Sequence, residues 1–430
     1  MRIRPATALE TISRRPHNPA PRGNRAAPSP YAASTTMTTS TFPHFRIGLL
    51  GLTTIAVYGT WYYAFGVLLD PIIADTGWSE AGLAATFTGG AILVGGGALA
   101  GGWLLDRFGS RQVFLAAALI GGGGIIGTSH ADSFGTFAAL GILGSGALGG
   151  LSFYHITQTT VVRITPDAPT RAIARLTIWG ALSSPIYLPL TAWLVANYHW
   201  RTAIRVLVIP AIVLLVIVAI FAPAHPTELG GSPVLRSVLR MSRENPEIRR
   251  FLLASGLMGM GFSIVLVYQV PVMTSLGMPL TAAASVAGLR GFCQLLGRLP
   301  LFPMVSRLGV RASTRLALGA LFAGFLLLLG SGSLAFGIAF AVVAGFGVGA
   351  ISPLQGMYTA ELFESEALGS AMGLVTVLYA SFGALGPAIV GILSTATGSR
   401  LWAVAIGAGS AALAAAILSP RRLSVRPDDC

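Results

Sequence analysis

The hydrophobic positions of this chain fall into long runs separated by short polar segments. A helix needs about 20 apolar residues to cross about 30 Å of hydrocarbon. Twelve runs approach or exceed that length: 47–70, 82–104, 112–129, 134–162, 172–196, 203–222, 251–273, 281–304, 314–330, 334–358, 368–394 and 400–418. Several contain Gly or Pro, which membrane helices accept because neighbours re-satisfy the backbone. The pattern predicts an all-α membrane protein with twelve transmembrane helices.

The arginines between the runs set an orientation. One side carries the N-terminal segment, Arg107, Arg111, Arg163, Arg171 and Arg175. It also carries Arg236, Arg240, Arg243, Arg249 and Arg250 in a long loop, then Arg307, Arg311, Arg315, Arg421, Arg422 and Arg426. The opposite loops hold little beyond Asp75, Glu80, Asp132, Arg201 and Arg400. Arginine-rich loops stay inside, so both termini are expected in the cytoplasm of a bacterium, with the spans in its inner membrane. An even number of spans agrees.

Composition sharpens this picture. The 430 residues are 53% hydrophobic and 10% charged, against roughly 25% charged in soluble domains. A soluble enzyme, a nucleic-acid-binding protein and a disordered scaffold are all disfavoured. The net charge of +13 comes from 28 basic residues, every one an arginine. Seven arginines less Glu10 place six of those units in the first 46 residues, and loops take most of the rest. Cys293 and Cys430 imply no disulfide framework.

Five segments are expected. Residues 1–45 form a basic, Pro-rich, disordered cytoplasmic tail; a transit peptide and translation from Met37 are alternatives for it. A secretory signal is not expected, because the first apolar run is too long and too far in. Residues 46–222 form one six-helix bundle, 223–250 a cytoplasmic linker, 251–419 a second bundle and 420–430 a cytoplasmic tail.

The bundles repeat at a shift of 200. Asp106-Arg107-Phe108-Gly109-Ser110-Arg111 pairs with Ser306-Arg307-Leu308-Gly309-Val310-Arg311, Gly77 with Gly277, Gly149 with Gly349, and Ser152 with Ser352. Two pseudo-symmetric six-helix bundles joined by a polar linker are the mark of a carrier built from parallel repeats. The run GGWLLDRFGSR, between the second and third spans, resembles the loop signature of the major facilitator superfamily. YYAFGVLLDPIIADTGWS (Tyr62 to Ser79), HWRTA (His199 to Ala203), GFCQLLGRLP (Gly291 to Pro300) and LGPAIVGILSTATGS (Leu385 to Ser399) are most similar to its bacterial monocarboxylate-porter and oxalate/formate-antiporter branch.

That resemblance implies the major facilitator fold, a site near the midplane and alternating access. It also implies that Asp106, Arg107, Gly109 and Arg111 form a latch that breaks and reforms on the cytoplasmic side. A carboxylate at a helix end can cap a neighbouring helix or pair with arginine, and Gly109 permits the tight turn. The arginines also serve topology. Ser306 replaces the carboxylate in the second copy, which puts a matching latch there in doubt.

The eighth span carries Arg290, Gln294 and Arg298, a polar stripe at i, i+4 and i+8 that drifts about 40° per step. An arginine at mid-bilayer costs roughly 2.5 to 3.5 kcal/mol, so this stripe calls for a cavity or partners. Arg298 could reach toward the surface more easily than Arg290. Arginine meets a carboxylate with two parallel hydrogen bonds, which favours an anion pathway over a purely structural pair. Asp70, near the opposite end, is the clear acidic candidate in the first six spans. By resemblance, Arg298 aligns with the substrate-carboxylate arginine of GFxDxxxR. Gln294 then falls where animal monocarboxylate carriers have a proton-linked aspartate, and Val67 where they have lysine, so their proton mechanism does not transfer.

His155, flanked by Tyr154 and Gln158, reads more readily as a hydrogen-bonded core histidine than as a coupling site. Tyr62, Tyr63, Tyr268, Gln269 and Tyr379 could face the cavity or pack between helices. Glycine clusters at Gly95 to Gly97 with Gly101, and Gly345 with Gly349, read as close helix packing.

The expected function is secondary transport of a small organic anion, a monocarboxylate, as symport or exchange. Protons or a counter-anion would be the coupling partner, with the bilayer as the surrounding phase. The expected substrate-binding set is Arg298, Arg290, Gln294, Tyr62, Tyr63, Tyr154, His155, Gln158, Gln269 and Tyr379. Efflux of amphipathic compounds and a transport-like sensor are the alternatives. No enzyme chemistry, cofactor, metal or nucleic acid is expected, and a monomer is.

Overall fold

Backbone polar groups find no partner in hydrocarbon, so apolar runs must bond internally as helices. The computed structural model describes residues 42–165, 169–224, 240–363 and 368–419; residues 1–41 and 420–430 of the expected tails and 225–239 of the linker lie outside them, while 42–45, expected in the tail, already belong to the first helix. Twelve helices order this part of the chain. They are α1 (His44–Thr76), α2 (Glu80–Phe108), α3 (Ser110–Thr128), α4 (Phe134–Ile164), α5 (Arg175–Asn197) and α6 (Trp200–Phe221). The second set comprises α7 (Pro246–Ser275), α8 (Leu280–Leu296), α9 (Pro303–Leu328), α10 (Leu334–Leu362), α11 (Ala371–Thr397) and α12 (Trp402–Ile417). No strand occurs among the described residues.

The repeat is visible in backbone angles. Gly109 and Gly309 share φ of 77° and 76°, and Gly77 and Gly277 are also left-handed at 69° and 96°. Residues with a Cβ avoid that region, so glycine at these turns is a steric requirement. Ser133 and Ser333 cap the helices that follow through their side chains, satisfying an N–H that would otherwise be orphaned. Gly124 packs on Gly144 in the first half as Gly324 packs on Ala344 in the second.

The apolar surface is turned outward. Val206, Ile209, Val213 and Ile220 of α6 are exposed along one helical face. In water such a face would invite aggregation; against lipid it is what a span requires. Inside, small residues bring helices close. A Cβ on Gly97 would lie 3.1 Å from Gly150 Cα, whereas Gly96 meets nothing within 4 Å.

Of the helices that depart from regularity, three bear on the site. In α1 the segment Gly59–Tyr63 winds as a π turn, with Ala64 N–H donating to Gly59 O at 3.2 Å. In α4 Phe153 is extended, with ψ of −175°, and the helix resumes at Tyr154. The expected span 281–304 is interrupted too. Helix α8 stops at Leu296, and Gly297 to Pro300 form a turn. Arg298 and Leu299 bond back only three residues, to Leu295 and Leu296. Pro300 has no N–H and restricts Leu299 before it, which ends the helix. The i, i+4 relation therefore holds for Arg290 and Gln294, while Arg298 sits in the turn.

Candidate functional site

The two halves meet through named contacts. Gly288 of α8 lies against Pro189 of α5, and Gly291 against Ser184 and Pro185. Nearer the arginine-poor end, Thr88 donates to Ala384 O at 2.7 Å, and Ala81 N–H donates to Thr395 at 3.1 Å. Arg400, between α11 and α12, forms ion pairs with Asp70 of α1 and Glu80 of α2. Thr274 donates to Asp70 at 2.9 Å. Burial lowers the Arg400 pKa, but the hydrogen bond and charge of Asp70, with the charge of Glu80, outweigh it. The guanidinium is held above its ordinary range. Asp70 is thus engaged at the arginine-poor end by Arg400.

At the arginine-rich end, polar ties among the described residues include ones within each half. Arg163 donates to Leu105 O at 3.2 Å. Arg311 pairs with Glu247 and donates to Tyr358 Oη at 2.8 Å. The second half therefore recruits its carboxylate from α7, not from position 306, where Ser306 only bonds its own helix at Pro303. In the first copy Gly109 makes the turn, Arg107 lies over the Trp103 and Phe108 rings, and Arg111 is exposed. The Asp106 side chain lies outside the described residues.

Arg290 is fully buried. Its Nε donates to Gln269 Oε1 at 2.8 Å and its Nη1 to Gln294 Oε1 at 3.5 Å. Among the described residues, Arg290 Nη2, Gln269 Nε2 and Arg298 Nε have no hydrogen-bond partner. The Arg290 charge reaches Tyr62 and Tyr63, and that of Arg298 reaches Tyr63 and Tyr154. Gln269, Arg290, Gln294 and Arg298 are thereby gathered against the tyrosines of the other half. Donors outnumber acceptors here, a surplus that suits an anion.

Behind the tyrosines lies a cavity of about 150 Å³ between α1, α2, α4, α7 and α11. Tyr58, Trp61, Tyr62, Phe87, Phe153 and Tyr379 supply its rings. The π turn delivers Trp61 and Tyr62, and the α4 break lays Phe153 flat on Tyr58, 3.9 Å between centroids at 11°. The arginines do not line this space; Tyr62 does, and it lies within range of the Arg290 charge. Tyr154 stands at 5.2 Å from the Tyr58 ring. His155 spends its Nε2 on Gly150 O at 2.8 Å, as a core histidine does. Gln158 is half-buried one turn beyond Tyr154. Tyr58, Trp61, Phe87 and Phe153 were not singled out by sequence reasoning, because aromatic residues in a span carry no label for the side they face.

The shift of 200 pairs Arg290, Gln294 and Arg298 with Gly90, Val94 and Ala98. Gly90 and Val94 line the cavity. Arg290 and Gln294 thus match positions that form cavity wall in the other half.

The sequence pattern of the Major Facilitator Superfamily matches residues 50–284 and again 251–429. The chain belongs to this family. It is a secondary transporter and a multi-pass membrane protein, not an enzyme. It is 25% identical over 345 residues to a cis,cis-muconate transport protein of Acinetobacter baylyi, covering 76% of this chain and 82% of that one. It is 26% identical over 316 residues to monocarboxylate transporter 13 of Bos taurus, covering 70% and 71%. These relatives support the monocarboxylate branch. The fold matches a solved nucleoside transporter, with TM-score 0.75, 14% identity, and coverage of 87% and 98%. A D-xylose–proton symporter matches at TM-score 0.65, 16% identity, and coverage of 87% and 97%. The transporter thus shares its architecture with carriers of unrelated small molecules.

Proposed function

We propose that this transporter moves a small organic anion, a monocarboxylate, across the bacterial cytoplasmic membrane by alternating access. Both termini lie in the cytoplasm on this reading, which follows the arginine-rich loops. The observation that carries it is the trio of unpartnered buried donors at Gln269, Arg290 and Arg298. An unmet buried donor costs about 1 to 3 kcal/mol, and a carboxylate would satisfy several at once.

The same cost shapes the cycle. With the site empty, closing the halves strands two cations in a low dielectric, which is unfavourable unless they are paired. A bound carboxylate offsets one charge and eases closure, so loaded forms cross more readily than empty ones. That difference favours exchange of anions or co-transport of a compensating ion over uniport. Opening the far side requires Arg400 to leave Asp70 and Glu80. Closing the cytoplasmic side engages Asp106, Arg107, Gly109 and Arg111. Tyr62, Tyr63, Tyr154, Gln158, Gln294 and Tyr379 would orient the substrate, while His155 is better explained by the core.

The test is uptake and counterflow of labelled carboxylates by the purified protein in liposomes. Transport of at least one carboxylate, accelerated by the same acid on the trans side, is expected. Acceleration of cationic dyes with no response to any carboxylate would overturn the reading and favour efflux of amphipathic compounds, for which the apolar cavity is the supporting feature.

A further inference from the structure

The cationic cluster does not explain the cavity behind it. A carrier built only for the smallest acids has no use for a ring-walled space in which Ser145 is already bonded to Gly141 O at 2.6 Å. A cavity of about 150 Å³ in a protein interior is large enough to take up a benzene ring, and this one has that volume. Its walls are rings that prefer offset or edge-on contact with another ring, at centroid separations of roughly 4.5 to 7 Å. Tyr62 already makes such contacts, stacked at 6.0 Å on Phe87 and edge-on at 5.7 Å to Phe153. Tyr62 also lies within range of the Arg290 charge. One ligand can therefore lie with its flat body among the rings and its carboxylate toward Arg290 and Arg298.

We infer that the substrate is an aromatic or comparably flat, unsaturated monocarboxylate, whose ring occupies the cavity between Tyr58, Trp61, Tyr62, Phe87, Phe153 and Tyr379. This rests on the organic-anion reading and narrows it. The hydroxyl of a small hydroxy acid gains little from apolar walls, and an acid of two or three carbons leaves the ring space unfilled. A planar six-membered ring fills it and buries most of its apolar surface. The small side chains of Ala380 and Ala384 keep the space open, and Gly90 lets Ser145 pack close in its wall.

The experiment is competition in counterflow with the full-length protein in liposomes, using benzoate, cyclohexanecarboxylate, acetate, lactate and benzyl alcohol as probes. Benzoate is expected to compete at about tenfold lower concentration than acetate or lactate, a difference equivalent to about 1.4 kcal/mol. Benzyl alcohol, with the ring but no charge, is expected to compete weakly. Ala380→Leu, which fills the cavity, is expected to bring the ratio of benzoate to acetate affinity toward one; the unmodified protein alone decides the matter if that variant is not recovered. If acetate and lactate are carried and compete as well as benzoate, the ring-pocket inference is overturned and the organic-anion reading stands. If no carboxylate moves, or benzyl alcohol matches benzoate, both fall.

Discussion

Arg400 and Asp70 stand 330 positions apart and form an ion pair across the seam between the two halves. Glu80 joins them with its Oε2 at 3.0 Å from Arg400 Nε. Three charges from three segments thus close the arginine-poor end, and their removal makes the first prediction.

Arg400→Ala leaves two carboxylates facing each other with no cation between them. Breaking a buried pair costs about 3 to 5 kcal/mol and an exposed one under about 1. This partly buried cluster should fall between, favouring the open arrangement of that end. With Cys293 and Cys430 replaced, a cysteine introduced as Ser263→Cys should react with impermeant thiol reagents from the arginine-poor side several-fold faster in the Arg400→Ala background. An unchanged rate would show that the seal rests on helix packing alone.

The two arginines of the cluster should respond differently. Arg298→Ala removes a half-buried group with no hydrogen-bond partner for its Nε among the described residues. It should abolish anion transport while expression and thermal stability stay close to those of the unmodified protein. Arg290→Ala strips a donor from both Gln269 and Gln294, each left with an unmet acceptor worth about 1 to 3 kcal/mol. It should lower the unfolding temperature in detergent as well as transport. Equal thermal stability of the two variants would contradict this division.

His155→Asn should leave transport within about twofold and its pH profile unmoved, since the ring is committed to Gly150 O and one backbone hydrogen bond is worth roughly 1 kcal/mol. A shifted pH optimum would return His155 to the coupling path.

Gly77→Ala meets no steric neighbour within 4 Å, yet its φ is +69° with ψ of 10°. The cost should be purely conformational, about 1 to 2 kcal/mol, read as a lower unfolding temperature. Gly77→Asn should recover part of it, because asparagine tolerates this left-handed helical conformation. A cost shared equally by both variants would point to crowding instead.

Much of the fold was legible because bilayer thickness and turn sterics act locally. The apolar runs announced their helices, and Gly77, Gly109, Gly277 and Gly309 announced the turns, since no other residue adopts those angles freely. The candidate site was legible only where a residue type is costly in lipid, as at Arg290 and Arg298. Periodicity alone misplaced Arg298 on a continuous helix, because Gly297 and Pro300 end α8 one turn early. The ring-lined cavity depends on a π turn and on the extended Phe153, which no spacing encodes. The partners of Asp70 and Ser306 also escaped. Asp70 is met by a loop on the far side of the chain, and the missing carboxylate opposite Arg311 arrives from Glu247 on another helix.

The duplication left Gly90, Val94 and Ala98 in one copy and Arg290, Gln294 and Arg298 in the other. On the proposed reading, the charge comes from one copy alone, while both copies supply the ring-lined wall, the second through Tyr379, Ala380 and Ala384. Neither lobe can retain the cargo alone, so a molecule that fits just one of them is let go, and the cargo itself becomes the fastener between the two moving parts.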